Sequence, residues 1–405
     1  MGALSHIRVL DLSRVLAGPW ATQILGDLGA EIIKIEKPGE GDETRHFGPP
    51  FLKNQNGAKA DATYFLSANR NKKSVAIDLA NPEGADLVKR LARRAHVVVE
   101  NFKTGSLAKY GLDYKSLSAE NPALIYCSLT GFGHSGPYKD KAGYDYLVQG
   151  MAGLMSITGQ PDGAPGAEPM KVGVAVSDLL TGLYTTIAIL AAVVHQGRTG
   201  EGQEIDMALF DCQTAALANQ ASNYLAGRMV PTRLGNAHPN IVPYQVFATA
   251  DGFLILAVAN DAQFRRFAKA AGIEHLAEDA RFKTNADRVH HRETLIPQLQ
   301  PVFAARKTAD WIALLEAANV PCGPINRVDQ VFADPQAIAR GLTISMAHAT
   351  GPLDLVASPL KLAKTPPDYR LPPPLLGEHT DEVLREVLEL EENVVRSLRE
   401  KSVIA

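Results

Sequence analysis

Ile7-Arg-Val-Leu-Asp-Leu12, then Gly18-Pro19, then Glu31-Ile-Ile-Lys-Ile35 is the stretch that decides the fold. The first run is apolar enough to be a buried strand. Gly18-Pro19 opens a helix with proline at its first position, Gly29 closes it, and Glu31 to Ile35 is the next strand. Strand, helix and strand in that order make a βαβ unit, which right-handed crossover turns into a parallel pair. The pattern then repeats: Ser74 to Asp78 reads as a strand, Asn81-Pro82-Glu83 starts an amphipathic helix reaching Arg94, and Val97 to Glu100 is a strand. Tyr114 to Glu120 is a short helix and Leu124 to Leu129 a further strand. Alternation of this kind predicts an α/β, doubly wound domain.

Glu36 to Asp42, Glu100-Asn-Phe-Lys103 and Thr130 to Pro137 follow these strands at their carboxyl ends. Open parallel sheets bind ligands at that edge, so it is the expected site. The first turn, Ser13 to Pro19, has no G-x-G-x-x-G, which argues against a dinucleotide cofactor. Lys37, Arg45, Arg70, Lys72, Lys73, Lys103 and Lys109 flank the same strands. Their convergence would suit a multiply phosphorylated ligand, although spacing alone favours reading each as a surface cation.

Val172-Gly-Val-Ala-Val-Ser-Asp178 leads one carboxylate out of a small-residue run into a long apolar helix. From Leu179 to His195, Leu183, Ile187, Leu190 and Val194 recur at helical spacing. At about 1.5 Å per residue that helix runs roughly 27 Å, and it is expected to be packed on all sides. Ser177 is the expected N-cap, with Asp178 in the first turn, where unpaired N–H groups favour an ionised carboxylate. Such a group is either a nucleophile or an acid placed there for helix stability.

The length of 405 residues predicts two domains, or one large domain carrying an insert. Residues 1–222 and 326–405 read as a large domain built from both chain ends. Residues 223–325 read as a linker and a smaller α/β domain: Arg228 to Pro243 is aperiodic, and Tyr244 to Thr249 with Phe253 to Val258 make a hairpin through Asp251-Gly252. An acidic helix from Thr380 is expected to pack back on the large domain. Apolar residues at 46%, charged residues at 21% and a net charge of −3 describe a globular protein with no nucleic-acid footprint. The chain start shows no secretory pattern, and the run Leu179 to Val194 falls short of the ~20 residues of a membrane span. No membrane partner and a cytoplasmic location are therefore expected. Cys127, Cys212 and Cys322 are too scattered for a disulfide framework or a metal site.

The sequence resembles the class III (family III) CoA-transferases over essentially its full length. The resemblance is carried by Val9 to Pro19, Leu28 to Glu36, Asn71-Lys-Lys-Ser74, Val99-Glu-Asn-Phe102, Pro321-Cys-Gly-Pro324 and Leu375 to Thr380. It implies a Rossmann-like large domain, an inserted small domain and an interlocked homodimer, with coenzyme A as co-substrate and no metal. Asp178 matches the family's nucleophile. By similarity, coenzyme A contacts fall on Leu16, Lys37, Asn71, Lys72, Asn101, Phe102, Lys109 and Tyr144, with Asp145 nearer the reacting centre. The implied activity is acyl-CoA:carboxylate CoA transfer through an aspartyl anhydride and an aspartyl-CoA thioester. A racemase or isomerase of the same superfamily is the alternative; it uses a histidine where this chain has Tyr144 in Gly143-Tyr-Asp145. A formyl-CoA or other short-acyl transferase is another, but its glycine run is absent from Arg233 to Tyr244. That segment looks most like the succinyl-CoA:glutarate branch, which implies a dicarboxylate acceptor met by Arg233, Asn236 and His238.

Overall fold

In a computed structural model described for residues 2–54 and 56–405, the first βαβ unit forms as the sequence predicts. Strand β1 (Arg8–Asp11) is followed by helix α1 (Ala17–Asp27) and strand β2 (Glu31–Glu36), and β1 pairs with β2 in parallel. Strand β3 (Lys72–Ala76), helix α2 (Pro82–Arg93), strand β4 (Val97–Glu100) and strand β5 (Ile125–Thr130) extend the pattern. Helices α3 (Asp145–Met151) and α4 (Val176–Thr199) lead to strand β6 (Gln203–Ala208) and helix α5 (Leu209–Ala215). The six strands form one all-parallel sheet in the order β3-β2-β1-β4-β5-β6. Strand order reverses between β1 and β4, and that switch point opens a crevice beyond the strands' carboxyl ends.

Alternation along the strands fills both faces of the sheet. Val9, Ile32, Val97 and Val99 pack with Leu25 of α1 and with Ile189 and Ala192 of α4. Leu10, Ile33, Val75 and Val98 pack with Leu87, Val88 and Leu91 of α2. Val383 and Leu384 of the helix Thr380–Glu386, and Val395 and Leu398 of Glu392–Glu400, join this second cluster. The C-terminal tail thus completes a core begun at the N-terminus.

Helix α4 departs from expectation in length and in facing. It has 24 residues, beginning at Val176 with Ala175 as N-cap, so Ser177 is not the cap. Its buried face carries Thr181, Gly182, Thr185, Thr186, Ile189 and Ala192. Leu183, Ile187 and Val194 stand 46%, 61% and 63% exposed, so the helix is not packed all round. Close approach to α1 is the reason: a Cβ on Gly182 would stand 2.8 Å from the Ala17 carbonyl oxygen. Apart from Ile189 this face is small or threonine, and Thr181 and Thr186 satisfy their hydroxyls on the carbonyls of Ser177 and Gly182. By length and apolar composition α4 could cross a membrane, which corrects the reading that its apolar run is too short. The stretch after β6 forms two helices, Leu209–Ala215 and Ala218–Leu225, divided before Ala218, whose φ is 46°.

Contacts within the chain cluster into two compact units. The first comprises Met1–Leu154, Val172–Ala221 and Gln336–Ala405, the second Met155–Lys171 and Ser222–Pro335. In the second unit, strands β7 (Tyr244–Ala248) and β8 (Phe253–Ala257) pair antiparallel, forming the hairpin the sequence predicts, and β9 (Cys322–Pro324) adds to β8. Its core is aromatic: Phe247 stacks on Phe303 at 4.4 Å, and the Trp311 indole donates to the Phe303 carbonyl at 2.9 Å.

Candidate active site

A cleft of about 370 Å³ lies at the switch point. Its walls are the loop after β1, the loop after β4, the segment Lys139 to Asp145, and Asp178. The first two walls are tied together by Asn101, whose side chain accepts from the Arg14 N–H at 2.8 Å and donates to the Arg14 carbonyl at 2.7 Å. The Phe102 ring lies under the Arg14 guanidinium at 4.8 Å.

Beneath this loop sits a buried charge network. Val15 holds a φ of 69°, which a β-branched residue adopts only when its surroundings impose it. Here the Val15 N–H points at the Asp42 carboxylate, 3.3 Å from each oxygen. Asp42 is bound in turn by Lys34 at 2.9 Å, and Lys34 also donates to the Ser13 carbonyl at 2.8 Å. Burial would raise the Asp42 carboxyl, but Lys34 and the Thr44 hydrogen bonds outweigh it and hold it down at about 2. Lys72 donates to Asp11 at 3.1 Å, to the Pro19 carbonyl and to Asn69. Burial lowers its ammonium to about 8 despite the Asp11 charge.

The third wall depends on two glycines. A Cβ on Gly143 would stand 2.1 Å from the Gly131 Cα, so only glycine at both positions lets the loop after β5 approach the chain leading into α3. That approach puts Tyr144 and Asp145 on the cleft.

At the mouth of α4, the Ser177 and Asp178 N–H groups point to the Asp145 carboxylate at 2.8 and 3.3 Å. The Gln149 side-chain amide donates to the other Asp145 oxygen at 2.7 Å, and the Ser177 hydroxyl donates to Gln213 at 2.9 Å. Asp145 therefore uses the helix N–H groups that were expected to hold Asp178 ionised. Burial, and then the Asp145 charge, raise the Asp178 carboxyl from 3.8 to about 7. A carboxylate with so little hydrogen-bond support is more basic and more nucleophilic than an exposed one.

Of the residues singled out in the sequence, Asp178, Leu16, Asn101, Phe102, Tyr144 and Asp145 share this cleft. An adjoining cavity of about 360 Å³ shares Arg14, Glu43 and Phe102 with it and adds Lys37 and Tyr110. Lys109 is exposed, with its ammonium 4.6 Å from the Tyr110 ring. Asn71 and Lys72 are buried away from both cavities. Asn71, at φ 60°, spends its side chain on Asp27, the Asp368 carbonyl and the N–H groups of Arg370 and Leu371. The expected convergence of cations is also reduced. Arg45 is paired with Glu36 and Asp61, Arg70 with Asp27, and Lys73 with Glu31 and Glu382.

Asn236 and His238 belong to the second unit. There His238 accepts from the Asn240 N–H through Nδ1 at 3.0 Å, which puts the proton of the neutral ring on Nε2. Arg233 is paired with Asp162. Sequence reading passed over Arg14, Lys139 and Lys141 on the cleft wall, and Gln149. The i, i+4 spacing of Asp145 and Gln149 was the available sign of the last.

The family model described as CoA-transferase family III matches residues 4–380. The succinate–glutarate CoA-transferase of Agrobacterium fabrum is 53% identical over 389 residues, 96% of each chain. The succinyl-CoA:glutarate CoA-transferase of Homo sapiens is 42% identical over 402 residues, 99% of this chain and 90% of that one. A crystal structure of a CAIB/BAIF family protein from Brucella suis matches with a TM-score of 0.85 and 48% identity, covering 95% of this chain and 99% of that one. With agreement running nearly end to end in sequence and in fold, this chain belongs to CoA-transferase family III and is a CoA-transferring enzyme.

Proposed function

We propose that the enzyme moves coenzyme A between succinyl-CoA and a dicarboxylic acid such as glutarate, with Asp178 as the covalent carrier. The observation that carries this reading is a half-buried carboxylate, raised to about 7 and set in the wall of the switch-point cleft, in a chain 53% identical to a succinate–glutarate transferase.

The chemistry proceeds by paired exchanges. An Asp178 oxygen attacks the thioester carbonyl, the C–S bond breaks, and a mixed anhydride and a CoA thiolate result. The thiolate attacks the Asp178 carbonyl carbon, giving an aspartyl-CoA thioester and releasing succinate. The acceptor carboxylate repeats both steps in reverse and leaves as the new thioester. Each step exchanges one activated acyl derivative for another, so no energy-rich co-reactant is needed. Holding coenzyme A in place supplies much of the advantage, because the thiolate must wait beside the anhydride rather than diffuse away.

The two adjoining cavities support such binding. Lys37 and Lys103 on the cavity walls, and Lys109 beside the Tyr110 ring, are exposed cations for the phosphates, and the Phe102 and Tyr110 rings offer apolar faces for the nucleotide end. Lys37 is held near Glu40 by a 2.6 Å ion pair that a phosphate could displace, since both partners are in water. Arg233, Asn236 and His238 are proposed for the acceptor's second carboxylate on chemistry alone: all three can donate hydrogen bonds, and the Asp162 partner of Arg233 is itself exposed.

Incubation with succinyl-CoA and a mixture of mono- and dicarboxylic acids, followed by mass analysis of the thioesters, is expected to yield glutaryl-CoA or a close dicarboxyl-CoA. New thioesters from monocarboxylic acids alone would end the dicarboxylate assignment.

The exposed apolar face of α4, with Leu183, Ile187 and Val194, is too continuous to be left in water. We assign it to a homodimer contact rather than to a membrane. Sedimentation is expected to give about twice the 43.5 kDa of one chain; a 43.5 kDa species at micromolar concentration would contradict it.

A further inference from the structure

Asp145, which the family resemblance puts nearer the reacting centre, has surroundings that give it a task of its own. Its Oδ1 accepts the N–H groups of Ser177 and Asp178, and its Oδ2 accepts from Gln149 Nε2. Gln149 is buried and is itself fixed, accepting the Val172 N–H at 2.9 Å. Every partner of Asp145 is a donor, which is the set a carboxylate takes. The side chain is thus immobilised as an acceptor against the backbone of the nucleophile. Among the described residues no cation moves Asp178: burial comes first, and Asp145 second.

We infer that Asp145 is a positioning residue whose fixed negative charge drives Asp178 into its neutral, covalent form. This rests on the transfer reading above and extends it. When the aspartyl-CoA thioester forms, an Asp178 C–O bond is exchanged for a C–S bond, and the donor acid departs as a carboxylate. One negative charge therefore leaves Asp178 and goes out with the acid. The repulsion from Asp145 is present before that exchange and absent after it. Whatever factor Asp145 contributes to the basicity of Asp178 it also contributes to the equilibrium for the covalent intermediate, tenfold for each pH unit. The same charge repels the departing acid.

Other titratable groups face the same place. Tyr64 feels the Asp178 charge, Cys212 lies on the packed helix α5, and Arg14, Glu43, Lys103, Lys139, Asp140 and Lys141 line the cavity. Asp145 is singled out because its carboxylate is bonded to the nucleophile's own N–H.

The test is to mix the purified enzyme with succinyl-CoA, without acceptor, and to measure by intact mass the fraction carrying coenzyme A. Asp145→Asn keeps one oxygen acceptor for the Ser177 N–H and removes the charge. It is expected to lower the ratio of covalent to free enzyme about tenfold or more and to move the pH midpoint of transfer below about 7. Asp145→Glu is expected to restore both. Gln149→Met loosens the carboxylate but keeps its charge, and is expected to stay within about twofold of the wild type. A purely structural Asp145 predicts an Asn variant equal to the wild type, and that result overturns the inference. So does a Gln149→Met loss as large as that of Asp145→Asn, because orientation rather than charge would then be what matters. If the wild type itself carries no coenzyme A, the transfer reading fails and the inference with it; an adduct in the wild type that persists undiminished in Asp145→Asn sinks the inference alone.

Discussion

Asp178→Ala is expected to lose at least about 10⁴-fold in transfer rate while still binding acyl-CoA, since removal of a covalent nucleophile leaves only the positioning contribution. Two readouts isolate the chemistry. With acyl-CoA and hydroxylamine, the wild type should yield an aspartyl hydroxamate at residue 178 and the variant none. With acceptor acid labelled with oxygen-18, label should enter the Asp178 side chain during turnover, because the acid's oxygen bridges the anhydride before the thiolate resolves it. Turnover without label in Asp178 would rule out the covalent carrier. The wild-type rate should rise with pH through about 7 and level off above it, as the carboxyl loses its proton.

The same residue bears on stability. Between its unfolded value near 3.8 and its folded value near 7, the folded state binds the extra proton, so stability falls as pH rises through that window. At pH 8 the ionised carboxylate is a net cost, which Asp178→Asn removes. The variant is expected to be more stable than the wild type by about 1–3 kcal/mol at pH 8, with the advantage vanishing near pH 4. Thermal melts at the two values check it; equal melting temperatures at pH 8 would mean that the carboxylate is not strained.

Lys72→Met is expected to destabilise the fold by about 3 kcal/mol, because it leaves the fully buried Asp11 without its ammonium partner. Lys34 also acts on Asp11, which keeps the loss toward the low end of the range for a broken buried pair. Adding Asp11→Asn should recover part of it. Denaturant midpoints of the single and double variants measure the coupling. The alternative, a direct contact between Lys72 and coenzyme A, predicts instead a raised KM for acyl-CoA at unchanged stability.

Much of the architecture could be read in advance. The βαβ alternation from Ile7 to Leu129 pointed to a parallel sheet with its site at the carboxyl edge, and β1 to β6 form that sheet. Local periodicity suffices there because a strand buried on both faces has no other way to satisfy its backbone. Periodicity failed on α4, where it found an apolar stripe but not which face the core takes. That choice depends on how near α1 comes to Gly182, a distance no local pattern encodes.

The site divides along the same line. That one carboxylate opens a helix after a small-residue run, and that Leu16, Asn101 and Phe102 follow strands at the binding edge, was determined by residue order alone. What Asp178 is chemically was decided by tertiary structure: the expected ionised carboxylate became one raised to about 7, because Asp145, 33 residues earlier, takes the N–H groups of its helix. Asn71 and Lys72, which the family resemblance assigns to coenzyme A, engage Asp27, Asp11 and the C-terminal tail, partners that residue order does not reveal. Helix and strand follow from short-range sterics and hydrogen bonding, whereas the protonation and reach of a side chain depend on charges and dielectric set by residues distant in the chain.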